Sequence, residues 1–272
     1  MQNLFAVMGN PIAHSLSPVI HHRFAEQTGQ QLVYEKILVD EGLFETRVSN
    51  FFAAGGKGLN VTLPFKQHAF SMAKVRTSRC LQAKAANTLW MQEGLLHADN
   101  TDGIGLIRDL VHYLNLEDKR VLLLGAGGAA RGVIGPLLES GLTNLTLTNR
   151  TVEKAQALQR DFAKIAYCYW EELREQGYFD LIINATSSSL AKETINLPLE
   201  ILQPATYCYD MAYNSQSVTP FVNWAHEHGC KSTDGLGMLV EQAAEAFFIW
   251  HGVRPETRDI LAELRANQQK TC

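Results

Sequence analysis

A glycine-rich turn between an apolar run and a helical one is the segment of this chain best suited to bind a phosphate. Residues 120–124 (Arg-Val-Leu-Leu-Leu) have the composition of a short buried strand, and Gly125-Ala126-Gly127-Gly128-Ala129-Ala130 follows at once. In a strand–turn–helix context, a G-x-G-x-x-A turn cradles a pyrophosphate. Its first glycine makes the turn, its second lets backbone approach the anion, and Ala130 lets helix and strand pack closely. The helix N-terminus adds free N–H groups and the favourable end of a dipole. About 20 residues on, a dinucleotide site that prefers NAD places Asp or Glu against the ribose hydroxyls. This chain has Asn149-Arg150-Thr151 there, with Lys154 one turn later. A guanidinium, a hydroxyl and an ammonium suit a 2′-phosphate, so the fingerprint points to NADP and to an oxidoreductase.

Four polar segments carry further chemistry. In Asn10-Pro11-Ile12-Ala13-His14-Ser15-Leu16-Ser17-Pro18, the hydroxyls of Ser15 and Ser17 stand at the mouth of a helix and suit a carboxylate. The plainer reading makes Ser17 an N-cap and Ser15 a loop residue. In Asn60-Val61-Thr62-Leu63-Pro64-Phe65-Lys66, Asn60 and Thr62 point to one face of a strand end and Lys66 follows within a turn. A lone lysine is ordinarily solvated. The strand terminus, the proline turn and the uncharged polar neighbours set this one apart. Asn87, in Ala86-Asn87-Thr88, is either a turn residue or a ligand contact. In Asp99-Asn100-Thr101-Asp102-Gly103-Ile104-Gly105, Thr101 or Asp102 can cap the helix that follows. A carboxylate beside glycines at a domain boundary is also where a ligand would bind.

The elements that must position these residues alternate. Strand patterns at Leu4–Met8, Leu32–Val39 and Gly58–Thr62 are separated by helical patterns from Ser17 and over Leu43–Ala54. Thr88–Met91 and Leu95–Ala98, joined through Glu93-Gly94, read as a hairpin. Further on, strands at 120–124, 144–148, 165–168, 180–184, 206–210 and 230–233 alternate with helices at 128–139, 151–163 and 219–228. Such alternation predicts a parallel, doubly wound sheet. Leu239, Ala243, Phe247 and Trp250 form one stripe of a first closing helix, and a second starts near Pro255. Gln242 lies among the apolar positions of the first, where a polar group needs a partner. The fingerprint sits mid-chain, so the first hundred residues form a separate domain. The expected division is 1–101 with 237–272, and 102–236, the terminal helices completing the first domain.

The bulk properties set limits. At 272 residues the chain is long enough for two cores, and a net charge of −4 argues against a broad nucleic-acid surface. Five scattered cysteines without C-x-x-C spacing read as reduced thiols. No basic-then-apolar leader and no apolar run near ~18 residues is seen, so a cytoplasmic protein off the membrane is expected. His21-His22 and His226-x-His228 lack ligand partners at metal spacing, so no metal is expected.

Taken together, the segments resemble the shikimate dehydrogenases along almost the entire chain. N-P-I-x-H-S-x-S-P, G-x-N-V-T-x-P-F-K, A-x-N-T, D-N-T-D-G-x-G, G-A-G-G-A-x-R, N-R-T, N-A-T-S and D-G-x-G-M-L-V-x-Q-A-A occur in family order. The resemblance implies an α/β protein of two domains: a Rossmann-type NADP-binding domain, and an α/β substrate domain completed by C-terminal helices. It implies reversible NADPH-dependent reduction of 3-dehydroshikimate to shikimate, in aromatic amino-acid biosynthesis. Carried over, Lys66 and Asp102 are the catalytic pair. Ser15, Ser17, Asn60, Thr62, Asn87, Thr101, Tyr213 and Gln242 surround the substrate with them. Gly125, Ala126, Gly127, Gly128, Ala129, Asn149, Arg150, Thr151 and Lys154 hold NADP, with Met211 and Gly235 near the nicotinamide. A monomer or homodimer is expected.

This chain departs from the family at a few positions. Ser189 stands where relatives often have glycine, the loop Leu190–Leu197 looks individual, Lys154 stands where arginine is common, and Arg76-Thr77-Ser78-Arg79 replaces a stretch more acidic in some relatives. The rival readings are a broader shikimate/quinate dehydrogenase, a folate-type dehydrogenase with a catalytic lysine, and a non-catalytic NADP-binding sensor.

Overall fold

The computed structural model describes residues 3–189, 191–214 and 217–271, with side chains through 268. Leu190, the first residue of the individual loop, and Cys272 lie outside the described residues. The chain divides into two compact units, 1–105 with 240–260, and 106–239 with 261–272. The expected first domain runs to 272; residues 261–272 instead group with the second unit. Arg265 and Gln268 hold them there, reaching Asp234 at 2.7 Å and 3.1 Å.

The first unit carries β1 (Asn3–Gly9), α1 (Ser17–Thr28), β2 (Leu32–Leu38), α2 (Phe44–Ala53), β3 (Gly58–Val61), α3 (Lys66–Met72), β4 (Val75–Arg76), α4 (Ser78–Ala83), β5 (Thr88–Gln92), β6 (Leu95–Asp99) and the start of α5 (Asp102–Leu110). Its sheet order is β2-β1-β3-β5-β6-β4. The sheet is mixed, and the expected hairpin supplies its antiparallel part. β1 pairs in parallel with β2 and β3, while β5 runs antiparallel to both β3 and β6. The reversal comes from the hairpin, whose turn residues Glu93 and Gly94 both take positive φ (53° and 74°).

In the second unit, β7 (Arg120–Leu124), α6 (Gly128–Glu139), β8 (Asn144–Thr148), α7 (Val152–Asp161), β9 (Ile165–Tyr167), β10 (Leu181–Asn184), β11 (Tyr207–Asp210), α8 (Pro220–Glu227) and β12 (Lys231–Thr233) follow in order. They build an all-parallel sheet, β12-β11-β10-β7-β8-β9. Val121, Leu122, Leu123 and Leu124 are all buried, as a central parallel strand covered on both faces requires. Each such leucine contributes about 1.5–3 kcal/mol of burial. Last come α9 (Leu236–His251) and α10 (Arg258–Thr271).

In the first unit an aromatic cluster encloses a titratable ring. The His21 imidazole is wholly buried and stacks on Tyr34, 4.3 Å between centroids and 9° between planes. Phe24, Phe247 and Trp250 surround it. Trp250 also lies under Gly58, where an added Cβ would run into the indole. Burial, and then the neighbouring His251, push the His21 imidazole down to about 3 from its ordinary 6.5. Because the folded pKa is the lower one, the stability is fully present above about pH 6.5 and is lost as pH falls. In that range the unfolded chain takes up a proton that the folded chain refuses. This single group therefore costs roughly 2 kcal/mol between pH 6.5 and pH 5. Urea unfolding at the two pH values is expected to show the wild type losing that much more than His21→Phe, which keeps a ring without the titration. Equal losses would place the titration elsewhere.

Candidate active site

The polar centre of the first unit is built where three loops meet. α3 begins at Lys66, whose carbonyl accepts from the Ala86 N–H at 2.8 Å. The Asn87 carbonyl accepts from the Val61 N–H at 2.9 Å, and the Asn87 N–H donates to the Asp99 carbonyl at 3.0 Å. The ends of β3, β5 and β6 are thereby tied together, and they present Lys66, Asn87 and Asp102 to one another. Lys66 Nζ donates to Asp102 Oδ2 at 2.5 Å, with side-chain exposures of 24% and 10%. Asn87 Nδ2 donates to Asp102 Oδ1 at 2.8 Å and to Thr101 Oγ1 at 2.9 Å. Thr101 Oγ1 and Asn87 Nδ2 each reach Gln242 Oε1 at 3.3 Å. Asp102 opens α5, and its own N–H donates to Asn100 Oδ1.

A partly exposed amine held by a mostly buried carboxylate among uncharged amides and hydroxyls is an arrangement suited to general acid–base chemistry. Lys66, Asn87, Thr101, Asp102 and Gln242 thus form one connected network. Asn60 joins through Nδ2, which donates to the Asn87 carbonyl at 3.0 Å.

Ser15 and Ser17 pair with each other, Ser15 Oγ donating to Ser17 Oγ at 3.1 Å. Ser17, a candidate N-cap from the sequence, is instead the first residue of α1. Leu16 stands at the cap with no side-chain capping bond, so the Ser17 hydroxyl is left for other partners. Pro18 falls in the first turn of α1, where its missing N–H is not needed. The Thr62 methyl packs over Gly9, where any Cβ would collide with it.

Sequence reasoning leaves Tyr34 unremarked and meets Arg79 only as part of a departure from the family, without a partner for either. Tyr34 hydrogen-bonds Asn60 Oδ1 at 2.7 Å. Arg79 grips the buried Asp99 through Nε (2.8 Å) and Nη2 (2.6 Å), and Nη2 also reaches Glu245 at 2.8 Å. Burial works against the Arg79 charge, but bonds to and the charges of Asp99, then Glu245, raise its pKa above the ordinary value. Alternation in β2 gives the only forward signal for Tyr34, an inward-facing aromatic residue with a polar tip.

The second unit holds the glycine turn. Gly125 takes φ +104°, a conformation that strains any other residue, and a Cβ there would press on Thr186 and the Ala185 carbonyl. At Gly127 and Gly128 an added Cβ meets open space, and Gly127 precedes α6 without a side-chain cap. Asn149 Oδ1 accepts from the Ala126 N–H at 3.1 Å, and Asn149 Nδ2 donates to the Thr151 carbonyl at 2.7 Å, which locks the amide under the turn. Arg150, Thr151 and Lys154 are exposed. Ala129 lies in the first turn of α6. Open space over the glycines, a helix N-terminus without a side-chain cap and two exposed cations together suit a pyrophosphate and a 2′-phosphate.

Met211 and Gly235 meet in this unit. A Cβ on Gly235 would run into the Met211 carbonyl, and the Gly235 N–H donates to the Ala212 carbonyl at 3.0 Å. Tyr213 is half-buried two residues beyond Met211. Ser189, which stands where relatives often have glycine, donates to Asp210 Oδ2 at 2.5 Å and so anchors the same segment. Burial raises the Asp210 carboxyl above its usual range, and the bond from Ser189 opposes that shift. Among the described residues, no helix is long and apolar enough to cross a membrane.

A glycine turn on an all-parallel sheet, with paired cations after the second strand, defines a Rossmann-type dinucleotide-binding α/β protein. Family models agree in order: "Shikimate dehydrogenase substrate binding domain" matches residues 7–89, "Shikimate / quinate 5-dehydrogenase" residues 107–196, and "Shikimate 5'-dehydrogenase C-terminal domain" residues 235–265. The shikimate dehydrogenase (NADP(+)) of Legionella pneumophila strain Lens is 59% identical over 266 residues, 98% of this chain and 100% of that protein. The crystal structure of an Ael1 enzyme from Pseudomonas putida superposes with a TM-score of 0.91 at 44% identity, covering 97% of this chain and 98% of that one. Shikimate 5-dehydrogenase from Thermus thermophilus, in complex with NADP(H) and shikimate, gives 0.88 at 32% identity, covering 98% of this chain and 100% of that one. The chain belongs to the shikimate dehydrogenase family, a family of oxidoreductases.

Proposed function

We propose that this chain catalyses the reversible, NADP-dependent interconversion of 3-dehydroshikimate and shikimate, a step toward the aromatic amino acids. The observation that carries the reading is the 2.5 Å Lys66–Asp102 pair inside a ring of uncharged polar side chains. The first unit takes the substrate and the second takes NADP. Gly125 to Ala129 receive the pyrophosphate, Asn149 supports the turn, and Arg150, Thr151 and Lys154 take the 2′-phosphate. Met211 and Gly235 flank the nicotinamide. When bound, NADP supplies or accepts the hydride.

The chain's own residues handle the proton. Lys66 Nζ gives a proton to the developing alkoxide in reduction and takes it from the hydroxyl in oxidation. Asp102 holds the ammonium on one oxygen and is itself fixed by Asn87 on the other. Ser15 and Ser17 receive the substrate carboxylate, while Asn60, Thr62, Asn87, Thr101, Tyr213 and Gln242 sort its hydroxyls and ring.

Initial rates for shikimate and for quinate, each with NADP+ and with NAD+, test the reading. Turnover largely confined to shikimate with NADP+ is the expected result. Equal or faster rates with quinate or NAD+ would replace it with the broader dehydrogenase, and NADPH binding without any turnover would replace it with a sensor. Arg150→Ala is expected to raise KM for NADP+ about tenfold, the value of one charge-assisted hydrogen bond, while KM for NAD+ stays unchanged.

A further inference from the structure

Arg131 lies one turn into α6, its N–H donating to the Gly127 carbonyl at 3.0 Å, yet its side chain reaches another helix. Nη1 pairs with Asp161 Oδ2 at 2.6 Å, and the guanidinium carbon stands 5.4 Å from the centroid of the Phe162 ring. Asp161 is the last residue of α7, and Phe162 caps that helix. Stability alone would not choose this contact. The Arg131 side chain is 13% exposed, and its Nε is buried with no hydrogen-bond partner among the described residues. A buried N–H without an acceptor is unfavourable, and an apolar side chain of similar length would avoid it. A carboxylate on the last residue of a helix works against the dipole. The two unfavourable choices make sense together, as one fixed point between α6 and α7.

These are the two helices that the proposed reading gives to the phosphates of the cofactor. α6 opens on the glycine turn, and α7 follows Arg150 and Thr151 and carries Lys154 in its first turn. Ala155 and Leu158 are the buried residues of α7. Apolar contact is not directional, so it holds the helix to the sheet without setting how the helix is turned. Direction comes from the two ends. At the first, Asn149 joins the Ala126 N–H (3.1 Å) to the Thr151 carbonyl (2.7 Å). At the second, Arg131 holds Asp161. Seven residues of helix, about 10 Å, separate Asp161 from Lys154, so a helix fixed at both ends presents Lys154 in one direction.

Resting on the proposed seating of NADP, we infer that Arg131 is a positioning residue for cofactor choice. By tying the far end of α7 to α6, it sets the spacing between a pyrophosphate on the glycine turn and a 2′-phosphate at Arg150, Thr151 and Lys154. It acts through α7 and not by touching the cofactor. NAD+ carries a hydroxyl in place of the 2′-phosphate and makes no use of that spacing, so the contact favours one dinucleotide over the other.

The test uses the full-length protein, and its first readout needs no turnover. Calorimetric titrations compare adenosine 2′,5′-bisphosphate with adenosine 5′-monophosphate, which differ by the 2′-phosphate alone. The wild type is expected to bind the bisphosphate at least about tenfold more tightly. Arg131→Met keeps the length of the side chain and removes its charge. In that variant Kd for the bisphosphate is expected to rise about fivefold, the value of one surface ion pair, while Kd for the monophosphate stays within about twofold. Asp161→Asn leaves Arg131 in place, alters a side chain that is 35% exposed, and should give the same shift. The double variant should bind no more weakly than Arg131→Met, because one contact is lost only once. In steady-state assays KM for NADP+ should rise in parallel, with KM for NAD+ and for shikimate within about twofold of wild type. A merely structural role would weaken both nucleotides together. An unchanged Kd for the bisphosphate in either single variant, equal losses for the two nucleotides, or losses that add in the double variant would overturn the inference while leaving the proposed activity standing. A wild type that binds the two nucleotides equally would overturn the seating of the 2′-phosphate, and the inference with it.

Discussion

Lys66→Ala is expected to lower kcat for shikimate oxidation by about 10²–10⁴, with KM for shikimate changing far less. A 2.5 Å bond to Asp102 points Nζ along one direction, and the Asn87–Asp102 bond at 2.8 Å keeps the carboxylate from following it. The ammonium is therefore placed by a partner that is itself placed. Removing it leaves in place the amides and hydroxyls proposed to bind substrate, so the loss is expected to fall on the step in which the oxygen gains or loses its proton. Lys66→Arg separates charge from chemistry, because a guanidinium keeps the pairing with Asp102 but does not release a proton at ordinary pH. It too should be slow. A raised KM with kcat preserved in Lys66→Ala would reduce Lys66 to a binding residue.

Much of this was legible in the chain and some was not, for physical reasons. β7, β8 and α6 were bounded from sequence because a buried parallel strand is a continuous apolar run and the glycine turn marks where the helix begins. The hairpin showed itself through Glu93-Gly94, a pair able to take positive φ. α4 was missed because six residues give too short a period to read. The closing helix was expected near Pro255 and begins at Arg258, three residues on. Lys66, Asp102, Asn87 and Gln242 each appeared as separate polar oddities in sequence. Their meeting depends on register, with β3 against β5 and β5 against β6, which no single segment encodes. Tyr34 stayed hidden and Arg79 showed only as a departure from the family, because the importance of each lies in a partner 20 or more residues away.

Arg79 carries the second large expectation. Asp99 opens the segment that ends in Asp102, and its carboxylate is nearly inaccessible (3% side-chain exposure). It accepts from both Arg79 nitrogens, from Thr77 Oγ1 and from the Asn100 N–H at 2.6 Å, so the charge that Arg79 supplies also shapes the backbone leading into Asp102. Arg79→Met keeps the length of the side chain and removes the guanidinium. It leaves Asp99 buried without its countercharge, and Glu245 with Arg254 at 2.7 Å. Breaking a buried pair in this way costs about 3–5 kcal/mol, far above the ~1 kcal/mol or less of an exposed pair. Urea unfolding is expected to show that loss, together with a fall in kcat as the Asp99–Asp102 turn loosens. The rescue identifies the cause. In Arg79→Met with Asp99→Asn, the amide oxygen still accepts from Thr77 and from the Asn100 N–H, and no charge is stranded, so about half of the lost stability should return. A loss below ~1 kcal/mol in the single variant would mean that water reaches Asp99 and does the work assigned to Arg79. A full loss with no recovery in the double variant would mean that the fork geometry, and not the charge, holds the turn that carries Asp102.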